Sequence, residues 1–546
     1  MPKDNVTSKF SKRCRVVESS HFVTENGARA LRTYLGNVEK GQPKIYTAPF
    51  AKGKEISTVI RDWQEVLVSI KDKWPSLWDF ENDLANKVGP MSVQKPVDER
   101  IGDIAHYYDD IHLSSKPVLS EAIKAVIQEF KPVAGLRLRS QARVVDNMKL
   151  STNSGVPFFT KRRNVIQDTI PCELYQDSMH QELPDWYGRL AAVIGWRGQE
   201  GGMSADDVKQ RVVWMFPMAL NVAELQVYQP LIEGCQKHNL VPAWVSMDAV
   251  DRTITSMFDT KEANDLVVCT DFSKFDQHFN AHMQDATYHV LFHLLKGDAR
   301  YDWLTDVFGI KYKIPLIIKN VNGGYLVSSG NHGMASGSGG TNADETLAHR
   351  ALQYEAAILQ GKRLNTHSQC LGDDGILTYP GITVEDVVKA YQSHGQECNP
   401  DKQYAATQDC VYLRRWHHNE YRVNGVCVGV YSTCRALGRL RFLERFMNPE
   451  YWSPQMVALR QLSILENCKW HPLREQFVRF CMKRDKYRLG IDIPGFLDNI
   501  VDEAIEATDH MPDFLGYTKT LQGVGPKGID ADYRSRFPVT FLSVPV

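Results

Sequence analysis

The stretch Gln369-Cys370-Leu371-Gly372-Asp373-Asp374-Gly375-Ile376-Leu377-Thr378 predicts a β-hairpin that carries two neighbouring carboxylates at its tip. Gly372 and Gly375 bracket the predicted turn, because glycine tolerates backbone angles that other residues avoid. Adjacent carboxylates repel each other unless a cation neutralises them, and hard divalent cations that bind through oxygen are the natural partners. A solvated Asp-rich turn has the same local sequence, so a metal site needs a second source of carboxylates.

The upstream stretch 265–276 supplies further carboxylates. Its apolar run at residues 266–269 predicts a buried strand, with Asp271 just beyond the strand end and Asp276 five residues later. A strand of this kind beside the hairpin would gather three carboxylates around two metal ions. Pairs of metal ions stabilise the attacking and leaving oxygens in phosphoryl transfer.

A loop rich in glycine and hydroxyl groups, residues 333–342, lies between the two stretches and leads into a predicted helix from Ala343. Such a loop can follow a backbone or cradle a phosphate closely, because glycine lacks a side chain. A flexible linker is the alternative interpretation, but linkers seldom lie between two buried strands.

Together, the three stretches resemble motifs A, B and C of the viral RNA-dependent RNA polymerases, in the same order along the chain. The matching residues are Asp271 and Asp276 in motif A, Ser336, Gly337 and Thr341 in motif B, and Gly372, Asp373 and Asp374 in motif C. The detailed sequence is most similar to the enzymes of picobirnaviruses, with partitivirus polymerases next. Many relatives carry Asn four residues after the motif B threonine, where this chain has Glu345, while Asn342 follows the threonine directly. Either residue is a candidate for that role.

The composition bounds the class of protein. A chain of 546 residues with 43% hydrophobic content is long enough for a large core and more than one subdomain. Because the net charge is -1, any nucleic-acid surface must be local. The eleven cysteines are scattered without C-x-x-C spacing, which predicts reduced thiols and no structural zinc. The sequence has no signal peptide and no long apolar run, so we expect a soluble protein inside a cell or a particle.

Two upstream stretches resemble motifs that guide the template and bind the incoming nucleotide in this family. Residues 152–159, in the basic region 131–163, resemble motif G, with an ordinary turn before a solvated face as the alternative. Residues 209–217 resemble the end of motif F, with Arg211 as the contact to the triphosphate and Lys209 and Arg197 in support. A planar, permanently charged guanidinium suits phosphate, although a surface arginine at a strand edge would have the same sequence.

Three stretches downstream of the first hairpin also have recognisable patterns. Two of them resemble further motifs of this family, and the third predicts a hairpin. Residues 399–402 resemble the lysine-bearing turn of motif D, and residues 410–416 resemble motif E, a hairpin that grips primer or product. Residues 421–431 predict a further hairpin around Asn424-Gly425. We expect this hairpin either to pack in the thumb or to enter the product channel and support the first nucleotide.

From residue 432 the chain predicts helices. Their basic residues in i,i+4 pairs are Arg435, Arg439, Arg441 and Arg445. These side chains would either form a solvated helix face or grip the phosphates of a duplex without reading its sequence.

The resemblance implies an α+β fold: a closed right hand of fingers, palm and thumb, with an antiparallel palm sheet and N- and C-terminal extensions. The implied domains are 1–70 as an N-terminal extension that bridges fingers and thumb, 71–265 as fingers with motifs G and F, 266–282 as palm with motif A, 283–329 as a fingers insertion, 330–431 as palm with motifs B, C, D and E, 432–522 as thumb, and 523–546 as a C-terminal tail.

The resemblance also implies the reaction, which is RNA-directed transfer of nucleotides from ribonucleoside triphosphates to an RNA 3′ end, for replication and transcription of a double-stranded viral RNA genome. Asp271 and Asp373 would hold two Mg²⁺ ions, for which Mn²⁺ can substitute, Asp374 would assist, and Lys402 would be a general acid. The implied nucleotide-binding residues are Arg211, Lys209, Asp276, Ser336, Thr341 and Asn342. The implied RNA-binding residues are Ser154, Gly155, Pro157, Lys161, Arg162, Gly337, Arg414, Arg415, Arg435 and Arg439.

The expected partners are template and product RNA and ribonucleoside triphosphates, with a viral capsid protein as a further one and no membrane. The expected location is the virion interior and the host cytoplasm. Other functions stay open at this point. A reverse transcriptase shares the palm, but Asp276 offers an acceptor for a 2′-hydroxyl, which favours ribonucleotides. A packaging protein that only binds RNA would make the aspartates structural, and a nuclease has no need for motifs B and F.

Overall fold

The computed structural model describes residues 9–508, which fold into helices and mostly antiparallel sheets around two large hydrophobic cores. The first core is built from residues 10–38 and 97–398, and the second from residues 48–91 and 416–507. A smaller third core lies under the strands that carry the predicted carboxylates, where Cys269, Ile376 and Tyr412 pack together.

The strands are β1 Cys14–Glu18, β2 Glu173–Tyr175, β3 His180–Leu183, β4 Trp186–Arg189, β5 Ala192–Gln199, β6 Lys209–Met215, β7 Val267–Thr270, β8 Leu316–Val321, β9 Gly324–Ser328, β10 Gln369–Leu371, β11 Asp374–Leu377, β12 Tyr404–Ala406, β13 Asp409–Tyr412, β14 Arg415–His418 and β15 Val430–Tyr431. They form four sheets, in the orders β1-β9-β8-β5-β6, β10-β11-β7-β12, β13-β14-β15 and β2-β3-β4.

The helices are α1 Glu25–Lys40, α2 Ile56–Leu67, α3 Pro75–Ala85, α4 Ile101–Asp109, α5 Ser120–Glu129, α6 Gln141–Asp146, α7 Ile166–Thr169, α8 Met218–Lys237, α9 Pro242–Val245, α10 Met247–Thr260, α11 Ala281–Leu294, α12 Ala299–Trp303, α13 Thr341–Leu359, α14 Val384–Gln392, α15 Thr433–Arg441, α16 Pro454–Leu465, α17 Arg474–Met482 and α18 Ile500–Thr508.

The four-stranded sheet β10-β11-β7-β12 is antiparallel throughout and places the predicted carboxylates. All four residues of β7 are buried, as the continuous apolar run predicts for a strand covered on both faces. Helix α13 packs against this sheet, and the Gln353 side-chain amide donates to the carbonyls of Gln369 at 2.9 Å and Ile376 at 3.2 Å. These bonds fix the hairpin β10-β11 on the helix.

The N-terminal segment runs from the first core to the second. Strand β1 pairs with β9 at one edge of the five-stranded sheet, and α1 buries Leu31 and Leu35 in the first core. The chain then crosses to the second core, where the Ala48 amide donates to the Arg441 carbonyl at 2.8 Å. The Leu443 amide donates to the Tyr46 carbonyl at 2.9 Å, so this crossing is held by backbone hydrogen bonds.

The packing of α3 differs from the predicted division of the chain at residue 70. Helix α3 lies against α15, and its buried Glu81 accepts hydrogen bonds from the backbone amides of Thr433 at 2.8 Å and Cys434 at 3.1 Å. Because Glu81 satisfies amides in the first turn of α15, the two helices belong to one core. The predicted assignment of all of 71–265 to the fingers therefore cuts through the second core.

The region after β14 also differs from its prediction. Asn424 and Gly425 have φ values of 51° and 80°, as a tight hairpin turn requires, but only Val423 and Val426 pair across them. Residue Tyr431 belongs to β15, which pairs with β14 instead. Helix α15 ends at Arg441, so Arg445 does not extend the predicted helical row of arginines.

Some predictions concern chain segments beyond the described residues, and others concern composition. The predicted C-terminal tail, 523–546, and the end of the predicted thumb lie outside residues 9–508.

All eleven cysteines are free thiols, and all but Cys14 are buried. Within residues 9–508, no helix has the length and apolar character needed to span a lipid bilayer.

Candidate active site

A cavity of about 810 Å³ lies where the second core, the β5-β6 loop and the four-stranded sheet meet. Its charged lining consists of Asp79, Asp83, Lys87, Glu200, Lys209, Arg211, Asp271, Asp373, Asp374, Lys402, Asp409, Arg414, Arg435 and Arg439. The predicted metal ligands Asp271, Asp373 and Asp374 and many of the predicted basic residues therefore share one cavity, although they are far apart in the sequence.

The tip of the β10-β11 hairpin brings two aspartates to this cavity. Leu371 pairs with Asp374, so only Gly372 and Asp373 form the turn, and Gly372 has a φ of 58°. A left-handed first turn residue suits glycine, which explains the residue at this position. Gly375 has a different role from the one predicted, because it lies inside β11, and a Cβ there would come within 2.7 Å of the His349 ring.

Two side chains of helix α13, which were not predicted to have a role in the site, hold this turn in place. The Thr346 hydroxyl oxygen accepts a hydrogen bond from the Gly372 amide at 2.9 Å, and His349 Nδ1 donates to the Gly372 carbonyl at 2.8 Å. Burial lowers the pKa of His349 to about 4, so the ring is neutral near pH 7. Both polar groups of Gly372 are thereby fixed by one helix.

Asp271 reaches the same place from β7. Thr270 pairs with Gly375 in the antiparallel ladder, so the next residue, Asp271, lies beside Asp374. The Gln403 side chain clamps the backbone here: its oxygen accepts from the Asp271 amide at 2.7 Å, and its nitrogen donates to the Asp271 carbonyl at 2.9 Å. This clamp fixes where the strand end projects its carboxylate.

The carboxylates at this end of the cavity repel one another. Burial raises the pKa of Asp374 to about 7, with the Asp373 charge as the next cause, although the Leu413 amide donates to its Oδ2 at 2.8 Å. Desolvation and then Asp276 raise the pKa of Asp373, while the positive charge of Arg211 opposes this shift. A cation between these groups would remove the repulsion.

The donor set fits a hard divalent cation. Asp271, Asp373 and Asp374 offer only oxygen atoms, which are the ligands that Mg²⁺ prefers. No group of three or more His, Cys, Asp or Glu side chains within residues 9–508 encloses a metal site by itself. An ion held here would therefore complete its coordination shell with water or phosphate oxygens, as Mg²⁺ commonly does.

The hydroxyl groups of the predicted motif B loop hold the loop in place instead of lining the cavity. Ser336 Oγ accepts from the Trp214 amide at 3.3 Å, and the Thr341 hydroxyl donates to the Ala335 carbonyl at 3.1 Å. A Cβ on Gly337 would come within 1.6 Å of the Trp214 carbonyl oxygen, so only glycine fits there. The predicted nucleotide contacts of Ser336 and Thr341 and the RNA contact of Gly337 are not supported by this arrangement.

A buried charge cluster lies beneath this loop and was not predicted. Lys311 Nζ is 2.8 Å from Asp344 Oδ2 and 3.6 Å from Glu224 Oε2, and all three side chains are fully buried. Glu224 in turn accepts hydrogen bonds from the Ser338 hydroxyl and the Gly339 amide. The sequence gives no signal for the cluster, because its members are scattered and become neighbours only in the fold.

The two candidates for the ribose-selecting role differ in environment. Asn342 is exposed, and its side-chain oxygen accepts from Trp244 Nε1 at 2.7 Å. Glu345 is buried, and desolvation followed by the neighbouring Asp276 raises its pKa well above the usual value. Both residues lie close to Gly372, because a Cβ there would be 3.5 Å from Glu345 Oε2 and 3.7 Å from Asn342 Nδ2.

Most of the predicted motif G residues are buried, which does not support their predicted contacts with RNA. Ser154, Gly155 and Pro157 are all buried, and Ser154 Oγ accepts from the Thr160 amide at 3.2 Å. The Arg162 guanidinium donates to the Lys149 carbonyl at 2.9 Å and to Asn221 Oδ1 at 2.8 Å. Lys161 is exposed.

Arg415 does not face the cavity either, although its neighbour Arg414 does. The Arg415 guanidinium is buried and binds both carboxylate oxygens of Asp251, at 2.8 and 3.1 Å. This burial and pairing give the Arg415 side chain a structural role and do not support its predicted RNA contact. Arg414, Arg435 and Arg439, which were also predicted to bind RNA, line the cavity.

The predicted initiation hairpin lies away from the cavity. No residue of 421–431 contributes to the cavity lining. The Tyr421 ring packs against Trp74, its hydroxyl donates to the Trp470 carbonyl at 2.6 Å, and Arg422 pairs with Asp259 at 2.7 Å. The structure thus supports the alternative, in which this turn packs within the second core.

Comparison with known proteins identifies the family to which the chain belongs. The family model for viral RNA-dependent RNA polymerases matches residues 90–476. A potential RNA-dependent RNA polymerase of a human picobirnavirus (strain Human/Thailand/Hy005102/-) is 58% identical over 496 residues, which cover 90% of this chain and 92% of that protein.

Two solved polymerase structures have the same fold as this chain. The crystal structure of the RNA-dependent RNA polymerase of a human picobirnavirus superposes with a TM-score of 0.90 at 54% identity, over 97% of this chain and 99% of that one. An insertion loop deletion mutant of a human picobirnavirus polymerase gives a TM-score of 0.87 at 55% identity, over 91% and 98% of the two chains. The predicted α+β polymerase fold and the resemblance to picobirnavirus enzymes are confirmed. The chain belongs to the viral RNA-dependent RNA polymerases and is an RNA-directed RNA polymerase.

Proposed function

We propose that this polymerase replicates and transcribes a double-stranded viral RNA genome by two-metal nucleotidyl transfer from ribonucleoside triphosphates. One observation carries the chemical part of the proposal: Asp271 and the Asp373-Asp374 pair line the same cavity as Lys209 and Arg211. Carboxylates that attract metal ions and cations that attract phosphate are the two components that phosphoryl transfer needs.

In this proposal Asp271 and Asp373 hold two Mg²⁺ ions, or Mn²⁺ in their place, and Asp374 assists. When bound, such ions stabilise the negative charge on the attacking and leaving oxygens. The side chains and backbone around them provide position: the Gln403 clamp orients Asp271, and the Leu413 amide orients Asp374. Helix α13 keeps the turn that carries Asp373 in place through Thr346.

The nucleotide is oriented by cationic and polar groups of the cavity and its rim. Arg211 and Lys209 bind the triphosphate, since a guanidinium matches phosphate geometry. Lys402 lies in the same lining, where its Nζ can give a proton to the departing pyrophosphate. Asp276 and either Asn342 or Glu345 select the ribose.

The RNA path and domain roles complete the proposal. The exposed Lys161, together with Arg414, Arg435 and Arg439, contacts RNA phosphates. The first core with its five-stranded sheet forms the fingers, the sheet β10-β11-β7-β12 forms the palm, and the second core, now with α3, forms the thumb. By resemblance, the enzyme works in the virion interior and the host cytoplasm, with a capsid protein as partner.

An incorporation assay tests the reaction. The purified protein is given a defined RNA template, with and without an annealed primer, labelled ribonucleotides, and Mg²⁺ or a chelator. We expect incorporation only with the metal, and a loss of at least about 100-fold in Asp271→Asn and Asp373→Asn. Asp79→Asn is the matched control, because Asp79 lines the same cavity but lies on α3.

Each competing function predicts a different result. Incorporation of deoxyribonucleotides in preference to ribonucleotides would indicate a reverse transcriptase, and shortening of the template would indicate a nuclease. Retained RNA binding without any metal-dependent incorporation would indicate a packaging protein. Near-normal activity in both aspartate variants would contradict the two-metal assignment.

A further inference from the structure

A carboxylate from one side of the cavity lies among three arginines from the other side. Glu200 directly follows β5, and its side chain is only 10% exposed. Arg435 Nε donates to Glu200 Oε1 at 3.0 Å, Arg414 Nη1 lies 3.6 Å from Oε1, and Arg439 Nη2 lies 3.6 Å from Oε2. The arginines come from the β13-β14 turn and from α15, so Glu200 connects the five-stranded sheet to the second core.

The arginines keep most of their hydrogen-bonding capacity in this arrangement. Each guanidinium has five donors, yet only the Arg435 contact is within hydrogen-bond distance of Glu200. The Arg414 and Arg439 side chains stay 42% and 31% exposed, toward the cavity. In the described part of the chain, Glu200 is the one carboxylate within ion-pair distance of these three residues. The cluster therefore retains a net positive charge.

We propose that Arg414, Arg435 and Arg439 form a site for backbone phosphates of the RNA duplex, and that Glu200 is an intramolecular competitor which the duplex displaces. The inference rests on the proposed polymerase function and adds a regulatory contact to it. Carboxylate and phosphate oxygens are alternative acceptors for the same guanidinium donors, so either can occupy the site. A phosphate, with more acceptor oxygens, can engage donors that Glu200 leaves unused.

The geometry favours the backbone of an RNA strand over the incoming triphosphate as the competing ligand. Arg435 and Arg439 are one helical turn apart on α15, about 6 Å along the axis, which suits successive phosphates of one strand. The triphosphate has a separate pair of cations, Lys209 and Arg211, on β6.

The β5-β6 loop has a second contact, which does not depend on Glu200. Gly202 packs against Gly89 so closely that a Cβ on Gly89 would lie 1.5 Å from the Gly202 carbonyl oxygen. This backbone contact does not involve the Glu200 side chain, so the proposed exchange does not require it to break. Competition by Glu200 would lower the affinity of the enzyme for the RNA duplex and favour release of the duplex.

RNA binding without nucleotides tests the competition. A labelled primer–template RNA duplex is titrated with wild type, Glu200→Gln and Asp83→Asn, and Kd is read by fluorescence anisotropy. We expect Glu200→Gln to bind about 3- to 10-fold more tightly, since the competing charge is removed. Asp83→Asn is the matched control: Asp83 also lines the cavity but pairs with Lys87 at 3.0 Å, so its loss should leave Kd near the wild-type value.

A double variant that lacks two of the arginines tests whether the tighter duplex binding of Glu200→Gln acts through them. Arg435→Gln with Arg439→Gln should weaken duplex binding, and adding Glu200→Gln to that background should produce no further gain. A Glu200→Gln protein that binds duplex no more tightly than wild type, or only as much more tightly as Asp83→Asn, overturns the proposal. If Glu200→Gln does not fold, Glu200→Asp replaces it: its shorter side chain should give a smaller gain, and no gain overturns the proposal.

Inorganic pyrophosphate distinguishes the source of the phosphate. The proposal expects Glu200→Gln to change the affinity for pyrophosphate, measured directly by isothermal titration calorimetry, by less than twofold. An equal gain for pyrophosphate and for duplex would assign the site to the triphosphate and overturn the proposal. The incorporation assay on wild type stays separate: failure there contradicts the polymerase reaction, whereas failure here contradicts only the role of Glu200.

Discussion

At the scale of single residues, the pKa of Asp374 links the metal site to stability. Burial raises the pKa of this carboxyl from 3.8 to about 7 in the folded protein. The folded state therefore binds more protons than the unfolded state between these two values, so the contribution of Asp374 to the free energy of unfolding decreases as pH rises through that window. Above about pH 7 the charged group is fully unfavourable unless a cation compensates it.

We expect Asp374→Asn to raise the thermal midpoint in metal-free buffer at pH 8 by about 1–3 °C, and to change it little at pH 4. The asparagine oxygen can still accept from the Leu413 amide, so the hydrogen bond is kept. Differential scanning fluorimetry at the two pH values measures the effect, with Asp79→Asn as the control for the loss of one cavity charge. A lower midpoint for Asp374→Asn at pH 8 would contradict the repulsion.

Ribose selection is also a property of single residues. We expect Asn342→Ala to reduce the preference for ribonucleotides over deoxyribonucleotides about fivefold, the equivalent of one hydrogen bond of about 1 kcal/mol. The ratio of kcat/KM for the two substrates measures it. Trp244→Phe is the companion variant, since it removes the donor that holds Asn342 and should produce a smaller change of the same sign. An unchanged ratio in Asn342→Ala, with a reduced ratio in Glu345→Gln, would assign the role to Glu345.

The position of a site residue can be predicted from the sequence where it depends on a local strand or turn. It is poorly predicted where it depends on a partner that is distant in the chain. The apolar run before Asp271 and the Gly-Asp-Asp turn locate both carboxylate sources correctly, because strands and turns are local. Gln403 and Glu200 carry no such signal, since their partners lie far away in sequence. The pairing of Arg415 with Asp251 is hidden in the sequence for the same reason, because only the fold brings the two residues together.

At the scale of elements, helix α13 is the platform for the hairpin turn. Its side chains bind the amide and the carbonyl of Gly372, and they also reach carbonyls on β10 and β11. The prediction of a helix after the glycine-rich loop is confirmed, but its support of the turn is visible only once helix and hairpin are packed together. The middle of the helix therefore positions Asp373, while its first turns carry Asn342 and Glu345, the two candidates for ribose selection.

Thr346→Val tests this positioning role. The variant leaves the buried Gly372 amide without an acceptor, which costs about 1–3 kcal/mol. We expect kcat for nucleotide incorporation to fall about 10-fold or more with little change in KM, because the turn that carries Asp373 loses its support.

Thr255→Val is the matched control for that loss. Thr255 is also a buried helical threonine whose hydroxyl accepts from a backbone amide, that of Cys427 at 2.8 Å, but it does not line the cavity. It should lower the thermal midpoint by a similar amount and leave kcat near the wild-type value. Equal effects of the two variants on kcat would mean that Thr346 acts only through stability.

At the scale of the whole molecule, the N-terminal segment fastens the two cores to each other. Its first part pairs with β9 and packs in the first core, and its second part lies on α15 in the second. The Arg441 guanidinium donates to the carbonyls of Phe50, Ala51 and Lys54 at 2.7–3.0 Å. One charged side chain at the end of α15 therefore anchors the crossing segment.

We expect Arg441→Met to release this segment before the rest of the protein unfolds. The methionine keeps apolar bulk but removes three hydrogen bonds to carbonyls, each worth about 1.5–3 kcal/mol when the donor is charged. Amide hydrogen exchange in residues 46–56 should become at least about 10-fold faster, while β7 and α13, which lie in the other cores, stay protected. Arg488→Met is the control, since Arg488 also belongs to the second-core side, and its ion pair within residues 9–508 is a local one with Asp492 at 3.3 Å. Unchanged exchange in residues 46–56 would show that the backbone bonds of Ala48 and Leu443 are enough to hold this segment on the second core. Uniform acceleration across both cores would show that the segment unfolds only with the whole molecule.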